Sequence, residues 1–170
     1  MTASPNSQTS HAPRESFRPR RLAPDPLAVA KTEFDAMLRD GTARRSDGSW
    51  SSALHLFPKK GCGWWPCGDY RALNSRTIPD RYPVQHFHDY YHQLAGCTIF
   101  STIDHVPAYH QTPVHPDDVQ KTAITTPFGL FEFPFMSFGL RNAAQTFQRF
   151  MNEILRRFAF CFAYIDDILV

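Results

Sequence analysis

The 170-residue sequence contains no apolar run approaching the ~20 residues that a membrane span requires. Its N-terminus lacks the basic start and apolar stretch of a secretory signal, so the expectation is an intracellular chain with no membrane partner. Cysteine is sparse: Cys62, Cys67, Cys97 and Cys161 have no CxxC spacing, which argues for free thiols over a disulfide framework or a zinc site. Charge of one sign is also missing, since the formal net charge is only +2. Any nucleic-acid contact must then come from local clusters. What is present is 42% hydrophobic and 14% aromatic content, enough for one domain with a real core.

Residues 1–26 are rich in Ser, Thr, Pro and Arg and have little to bury, so they read as a mobile tail ahead of a domain over 27–170. From Leu27 to Leu38 apolar residues recur at helical spacing, with Pro26 suited to the first turn and Gly41 a plausible stop. Residues 53–60 and 64–69 predict two strands joined through Gly61 and Gly63, with Lys59 and Lys60 at the tip. Lysine and arginine make strong contacts to phosphate oxygens, which marks Lys59, Lys60 and Arg71 as candidate phosphate ligands; the plain alternative is a solvated turn. A helical stretch over 84–94 places His88 and His92 four apart, but no third ligand accompanies them and a metal site is not assigned there.

The run Tyr164, Ile165, Asp166, Asp167, Ile168, Leu169 and Val170 sets two adjacent carboxylates between apolar flanks. An unpaired carboxylate is costly to bury, so the pattern predicts a β-hairpin presenting its acids to a divalent cation, or else a surface turn with chance acids. A β-rich run over 97–103 delivers Asp104 at a strand end, 62 residues before Asp166, far enough for the chain to bring the segments back together. Three carboxylates on one site fit phosphoryl transfer, where two Mg²⁺ ions, or Mn²⁺, offset charge at the reacting phosphate. Two further strands are expected over 122–127 and 131–136, then a helix over 143–158 with the apolar stripe Phe147, Phe150, Met151, Ile154, Leu155 and Phe158.

The segments RPRRLAP (18–24), WSSALHLFPKK (50–60), CGDYRALN (67–74), TIPDRYPV (77–84), FSTID (100–104), AYHQ (108–111), 121–155 and YIDD (164–167) together resemble the reverse transcriptases of Ty3/gypsy-type long-terminal-repeat retrotransposons. The resemblance implies an α+β right-hand polymerase fold: fingers plus part of a palm, an antiparallel sheet backed by helices, and no thumb. It implies Asp104, Asp166 and Asp167 as catalytic metal ligands. Lys59, Lys60, Arg71, Ala108, Tyr109, Phe138 and Gly139 would bind nucleotide, with Tyr109 under the sugar selecting deoxynucleotides. Arg141, Gln145 and Gln148 are candidate template contacts. The implied partners are an RNA or DNA template with its primer, deoxynucleoside triphosphates, and the thumb and RNase H parts of a polyprotein. The implied setting is cytoplasm, a virus-like particle or the nucleus.

Two residues depart from the resemblance. Trp65 stands where the family carries an arginine, and Pro107 removes an N–H donor from the turn after Asp104. They keep open a rival reading, an inactive remnant that binds nucleic acid or protein. A metal-dependent nuclease is a second rival, which the lysine hairpin argues against. The expectation is a polyprotein fragment that by itself does not sustain synthesis, because positioning of a primer supplies much of the rate.

Overall fold

The computed structural model describes residues 19, 21–58, 64–84, 90, 94–104, 109–158, 160–165 and 167–170, the Asp104 side chain excepted. Helix α1 spans Pro24–Arg39 and opens three residues before the expected Leu27, with prolines in its first turn, where a missing N–H costs nothing. Gly41, at φ 72°, follows its end, as the left-handed exit of a helix favours. The buried Phe34 faces Phe131, Phe128 and Phe133, with ring centroids at 4.8, 5.6 and 6.3 Å. This aromatic group fastens α1 onto the larger sheet.

That sheet contains β1 (Arg44–Arg45), β2 (Ser52–Pro58), β3 (Trp64–Asp69), β5 (Ile124–Thr126) and β6 (Gly129–Glu132) in the order β1-β6-β5-β2-β3. An antiparallel sheet was expected, but β2 and β5 run parallel, Ser52 opposite Ile124 and Ala53 opposite Thr125. The long crossover between them permits this, since parallel neighbours need a connection of a dozen residues or more. Both central strands are shorter than their apolar runs. Gln120–Thr122 forms a 3₁₀ turn, and Pro134, which cannot donate to a ladder, follows the end of β6. The buried Glu132 carboxylate accepts from Arg44 Nε at 2.7 Å and Ser46 Oγ at 2.6 Å.

The smaller sheet has the order β4-β8-β7, formed by β4 (Thr102–Asp104), β7 (Phe162–Tyr164) and β8 (Asp167–Leu169). The run over 97–103 condenses to three strand residues, although Ser101 and Val170 still exchange both backbone hydrogen bonds at 2.8 Å. Helices α2 (Arg71–Arg76) and α3 (Pro116–Val119) are short connectors. Helix α4 (Ala143–Leu155) packs against β7 and buries Phe147 and Met151, while Ile154 and Phe158 of the expected stripe stay exposed.

The segment after α2 is strapped to α4 by polar ties. Asn142 accepts from the Asp80 N–H and donates to Ile78 O, Arg149 donates to Asp80 at 2.7 Å, and Arg149 lies over the Tyr82 ring. Partial burial pushes the Asp80 pKa up. The hydrogen bond and charge of Arg149, with the Tyr82 and Arg81 amides, outweigh that and hold it below the ordinary carboxylate value. A carboxylate depressed in the folded state stabilises the fold above its unfolded pKa and loses that contribution as pH falls through the folded one. Asp80→Asn should therefore lower stability at neutral pH and flatten its decline below about pH 4, read by urea unfolding across pH. Phe34→Ala should cost about 3–5 kcal/mol in the same assay, because the aromatic group around it cannot collapse fully into the space left.

Candidate active site

The register of the small sheet determines what meets at its end. Thr102, Ile103 and Asp104 of β4 pair with Leu169, Ile168 and Asp167 of β8. Asp104 and Asp167, 63 positions apart in sequence, are thus direct cross-strand neighbours, and such neighbours have Cα atoms about 4.5–5.5 Å apart. On the other side Tyr164 pairs with Asp167, which leaves a two-residue connection in the chain, Ile165 and Asp166. Asp166 itself lies outside the described residues. The Asp167 side chain is exposed.

Ile165 has φ 53°, the only non-glycine residue with positive φ among those described. Two-residue hairpins favour turns with positive φ at the first central position, because their twist matches that of the strands. A β-branched side chain resists that conformation at a cost on the order of 1–3 kcal/mol. The surrounding structure opposes the strain: the Ile165 N–H donates to Gln148 Oε1 at 2.9 Å, and Gln148 Nε2 donates to Ala163 O at 2.8 Å. Tyr90 Oη donates to the same Ala163 carbonyl at 2.9 Å, with its ring 4.9 Å from that of Phe162.

Tyr109 opens a 3₁₀ turn, Tyr109–Gln111, and is buried. Its ring meets Phe138 edge-on at 4.8 Å and Phe147 of α4 at 5.5 Å. Phe138 is 51% exposed and forms a wall of a cleft of about 460 Å³. His55, Phe57, Arg71, Asn74 and Gly139 also line that cleft. Gly139, at φ 90°, has its carbonyl held by Asn74 Nδ2 at 2.7 Å, while Asn74 Oδ1 accepts from the Arg141 N–H at 2.8 Å. Asn74 thereby fixes the 139–141 turn against α2. The Arg71 guanidinium is exposed and forked onto Asp69 at 2.8 and 2.7 Å, while burial raises the pKa of the neighbouring Cys67 thiol.

The expected site residues therefore divide. Arg71, Phe138 and Gly139 share one cleft, with Tyr109 behind Phe138, and Asp104 and Asp167 share one strand pair. Lys59, Lys60, Ala108 and Asp166 lie outside the described residues, as do His88, His92 and Pro107. Arg141 is exposed but spends Nη1 on Asn74 O, and the Gln145 side-chain oxygen is buried with no partner among the described residues. Gln148 differs from expectation: it is 0% exposed and its amide is consumed inside the chain, so it cannot face a template from this position. Sequence reasoning also passed over Asn74 and Asn142. The available signal for Gln148 was an amide placed directly beside Phe147, within the buried face of an otherwise apolar helix stripe.

Among the described residues no cluster of three His, Cys, Asp or Glu side chains forms, a set that omits the carboxylates of Asp104 and Asp166. The paired positions of Asp104 and Asp167 and their hard oxygen donors suit a small divalent cation. None of the helices in the described residues is long and apolar enough to cross a membrane.

Comparison with known proteins fits this arrangement. Residues 57–170 match the family described as reverse transcriptase (RNA-dependent DNA polymerase). The retrovirus-related Pol polyprotein from transposon 297 of Drosophila melanogaster is 39% identical over 147 residues, 82% of this chain and 14% of that protein. The Pol polyprotein from transposon gypsy of the same organism is 34% identical over 146 residues, 81% and 14% of the two chains. An RNA-directed DNA polymerase homolog of Oenothera berteroana is 40% identical over 106 residues, 61% of this chain and 75% of that one. This chain thus spans only 14% of the length of the Pol polyproteins it matches. Among solved structures, a foamy viral protease-reverse transcriptase in complex with double-stranded DNA superimposes with a TM-score of 0.88 at 21% identity, covering 99% of this chain and 30% of that one. The native prototype foamy virus protein gives 0.86 at 19%, covering 97% and 22%. With its α+β fold, its paired aspartates and its match to this family over two thirds of its length, the chain belongs to the reverse transcriptases, alongside the Pol proteins of gypsy-type retrotransposons.

Proposed function

We propose that this chain is the fingers and the first part of the palm of an RNA-directed DNA polymerase. The observation that carries the reading is the pairing of Asp104 with Asp167 beside the turn that contains Asp166, on a sheet joined through α4 and Phe147 to the cleft wall at Phe138. In this reading the larger sheet, with α1 and α2, is the fingers, and the smaller sheet with α4 is the palm. The substrates are a deoxynucleoside triphosphate and an RNA or DNA template with its primer. The foamy viral neighbours, solved with double-stranded DNA or an RNA/DNA hybrid, support a nucleic-acid partner.

Asp104, Asp166 and Asp167 would hold two divalent cations, Mg²⁺ or Mn²⁺, which offset charge on the reacting phosphate and lower the pKa of the attacking hydroxyl. The chain's own residues position the reactants. Lys59 and Lys60 of the β2–β3 connection, with Arg71, supply charge to the triphosphate, and Ala108 is a further candidate contact to it. The forked contact with Asp69 holds Arg71 oriented at the cleft mouth. Tyr109, buried behind Phe138 and braced by Phe147, backs the cleft wall, so a 2′-hydroxyl pressing on Phe138 meets a wall that cannot retreat. Arg141, at the exposed end of the 139–141 turn, is the remaining candidate for a template phosphate.

Trp65 favours a weakened variant of this activity. It pairs with Phe57 across the fingers strands and is 54% exposed, which places an aromatic surface where a guanidinium would supply charge. Trp65→Arg combined with Pro107→Arg should tighten deoxynucleotide binding at least about tenfold, from charge-assisted contacts of about 1.5–3 kcal/mol each. Unchanged affinity in a fluorescent-nucleotide titration would make both departures neutral. The polymerase reading itself predicts that Mn²⁺ binding to the chain weakens on Asp104→Asn and on Asp166→Asn, by about 10-fold or more. Equal Mn²⁺ affinity in wild type and both variants, measured by electron paramagnetic resonance titration, would overturn it.

A further inference from the structure

We infer that Trp65 and Phe57 form a base-stacking surface on the β2–β3 hairpin, and that this surface ranks purine above pyrimidine nucleotides before any template base is present. The inference rests on the polymerase reading for its consequence, while the stacking itself is judged without metal or template.

Register and burial place the two rings. Trp65 pairs with Phe57, Cys67 with His55 and Asp69 with Ala53, so all of these side chains share one face of the hairpin. Along β2 that face runs outward from the core: Ala53 is buried, His55 is half-buried and Phe57 is 52% exposed. Trp65, opposite Phe57, is 54% exposed. Directly opposed residues have Cβ atoms about 4.5–5.5 Å apart, so the indole and the phenyl ring lie side by side as one surface. The His55 ring supports it, edge-on to Phe57 at 4.4 Å. Trp64 belongs to the other face, because side chains alternate along a strand.

The setting selects the chemistry of the ligand. His55, Phe57, Cys67 and Asp69 of that face line the cleft of about 460 Å³, and the half-exposed Phe138 adds a second aromatic wall. Asp69 and Arg71 are the formally charged residues of the lining, and they are forked onto each other at 2.8 and 2.7 Å. A cleft whose charges offset one another and whose walls are aromatic suits a neutral, planar heteroaromatic group, which on a nucleotide is the base. Stacking accepts every base, because each has a π-face, yet it is graded in strength. A purine overlaps an indole with two fused rings and a pyrimidine with one. Phosphates draw instead on cations outside this face, such as Arg71 on α2, so the base preference and the phosphate contribution are separable quantities.

The test uses the full chain without metal ion. Calorimetry gives the affinities for dATP, dCTP, dAMP and dCMP, and NMR follows the indole N–H groups of Trp50, Trp64 and Trp65 during the same titrations. The Trp65 indole should shift on addition of dATP while those of Trp50 and Trp64 stay in place, and dATP should bind at least about threefold tighter than dCTP. Trp65→Leu should weaken dATP binding about tenfold and bring dATP and dCTP within a factor of about two of each other, while the ratio between dATP and dAMP stays as in the wild type. Phe57→Leu should act in the same direction by less. An unmoved Trp65 indole, equal wild-type affinity for dATP and dCTP, or a base ranking that survives Trp65→Leu each overturns the inference. A Trp65 indole that shifts with protein concentration and not with nucleotide assigns the surface to a second copy of this chain and overturns it as well. Should Trp65→Leu not fold, Trp65→Phe replaces it: the smaller ring should keep the direction of the ranking and reduce its size, and an undiminished ranking overturns the inference. Where Asp104→Asn and Asp166→Asn leave Mn²⁺ affinity unchanged, the polymerase reading fails, while the metal-free titration still judges the stacking surface.

Discussion

The antiparallel register of the small sheet is the constraint on which the rest depends. Because side chains alternate across a strand, the pairing of Ile103 with Ile168 and of Ile168 with Ala163 turns one face toward α4, where Ile168 and Ala163 are buried. Asp104 and Asp167 then fall on the opposite parity together with Tyr164. A slip of one residue in β8 would turn Asp167 toward the core and Ile168 toward the surface. The apolar residues that flank Asp167 therefore specify the face of the sheet on which it falls.

The cleft is connected to that sheet by packing and not by continuity of the chain. Phe147 on α4 touches Tyr109, Tyr109 touches Phe138, and Phe138 faces the cleft that Arg71 and Asn74 close from α2. At the same end, Asn74 holds the turn at Gly139 and Asn142 holds the strap at Ile78 and Asp80. Tyr70 completes the link between the two sheets' surroundings: its hydroxyl donates to Thr122 O at 2.8 Å and accepts from Ser137 Oγ, and burial drives its pKa far above the ordinary phenol value. A neutral, buried phenol of this kind is fixed in place by two partners from different segments. Gly68 permits that approach, since a Cβ there would meet the Tyr70 ring at 2.6 Å.

What was legible in the sequence were features with a strong local signature. The periodicity of α1, the two strands over 53–60 and 64–69 and the strand end at Asp104 all follow from apolar spacing and turn residues, and the structure places each within a few positions. What was not legible depends on partners distant in the chain. The parallel pairing of β2 with β5 joins residues some seventy positions apart, and no local pattern distinguishes it from an antiparallel neighbour. Gln148 read as a surface amide because glutamine usually is one. Its burial follows only from the meeting of α4 with residues 163–165.

The same reasoning bears on how charge is distributed. With a net charge of only +2, the chain has no general basic surface, and several of its arginines are already engaged: Arg44 by Glu132, Arg71 by Asp69, Arg149 by Asp80. Each pair joins a largely exposed guanidinium to a largely covered carboxylate, so besides offsetting charge it fixes the geometry of both side chains. Arg71 illustrates the point. Tied to Asp69 it has fewer accessible orientations, and an anionic group entering the cleft meets a guanidinium already aimed at the opening, at the expense of competing with one carboxylate. The exposed aromatic surface of Trp65 and Phe57 lies on the same hairpin. On the proposed polymerase reading, recognition in this cleft is divided between the oriented Arg71 cation and stacking surfaces, which would make it sensitive to the shape of a base pair and tolerant of its sequence.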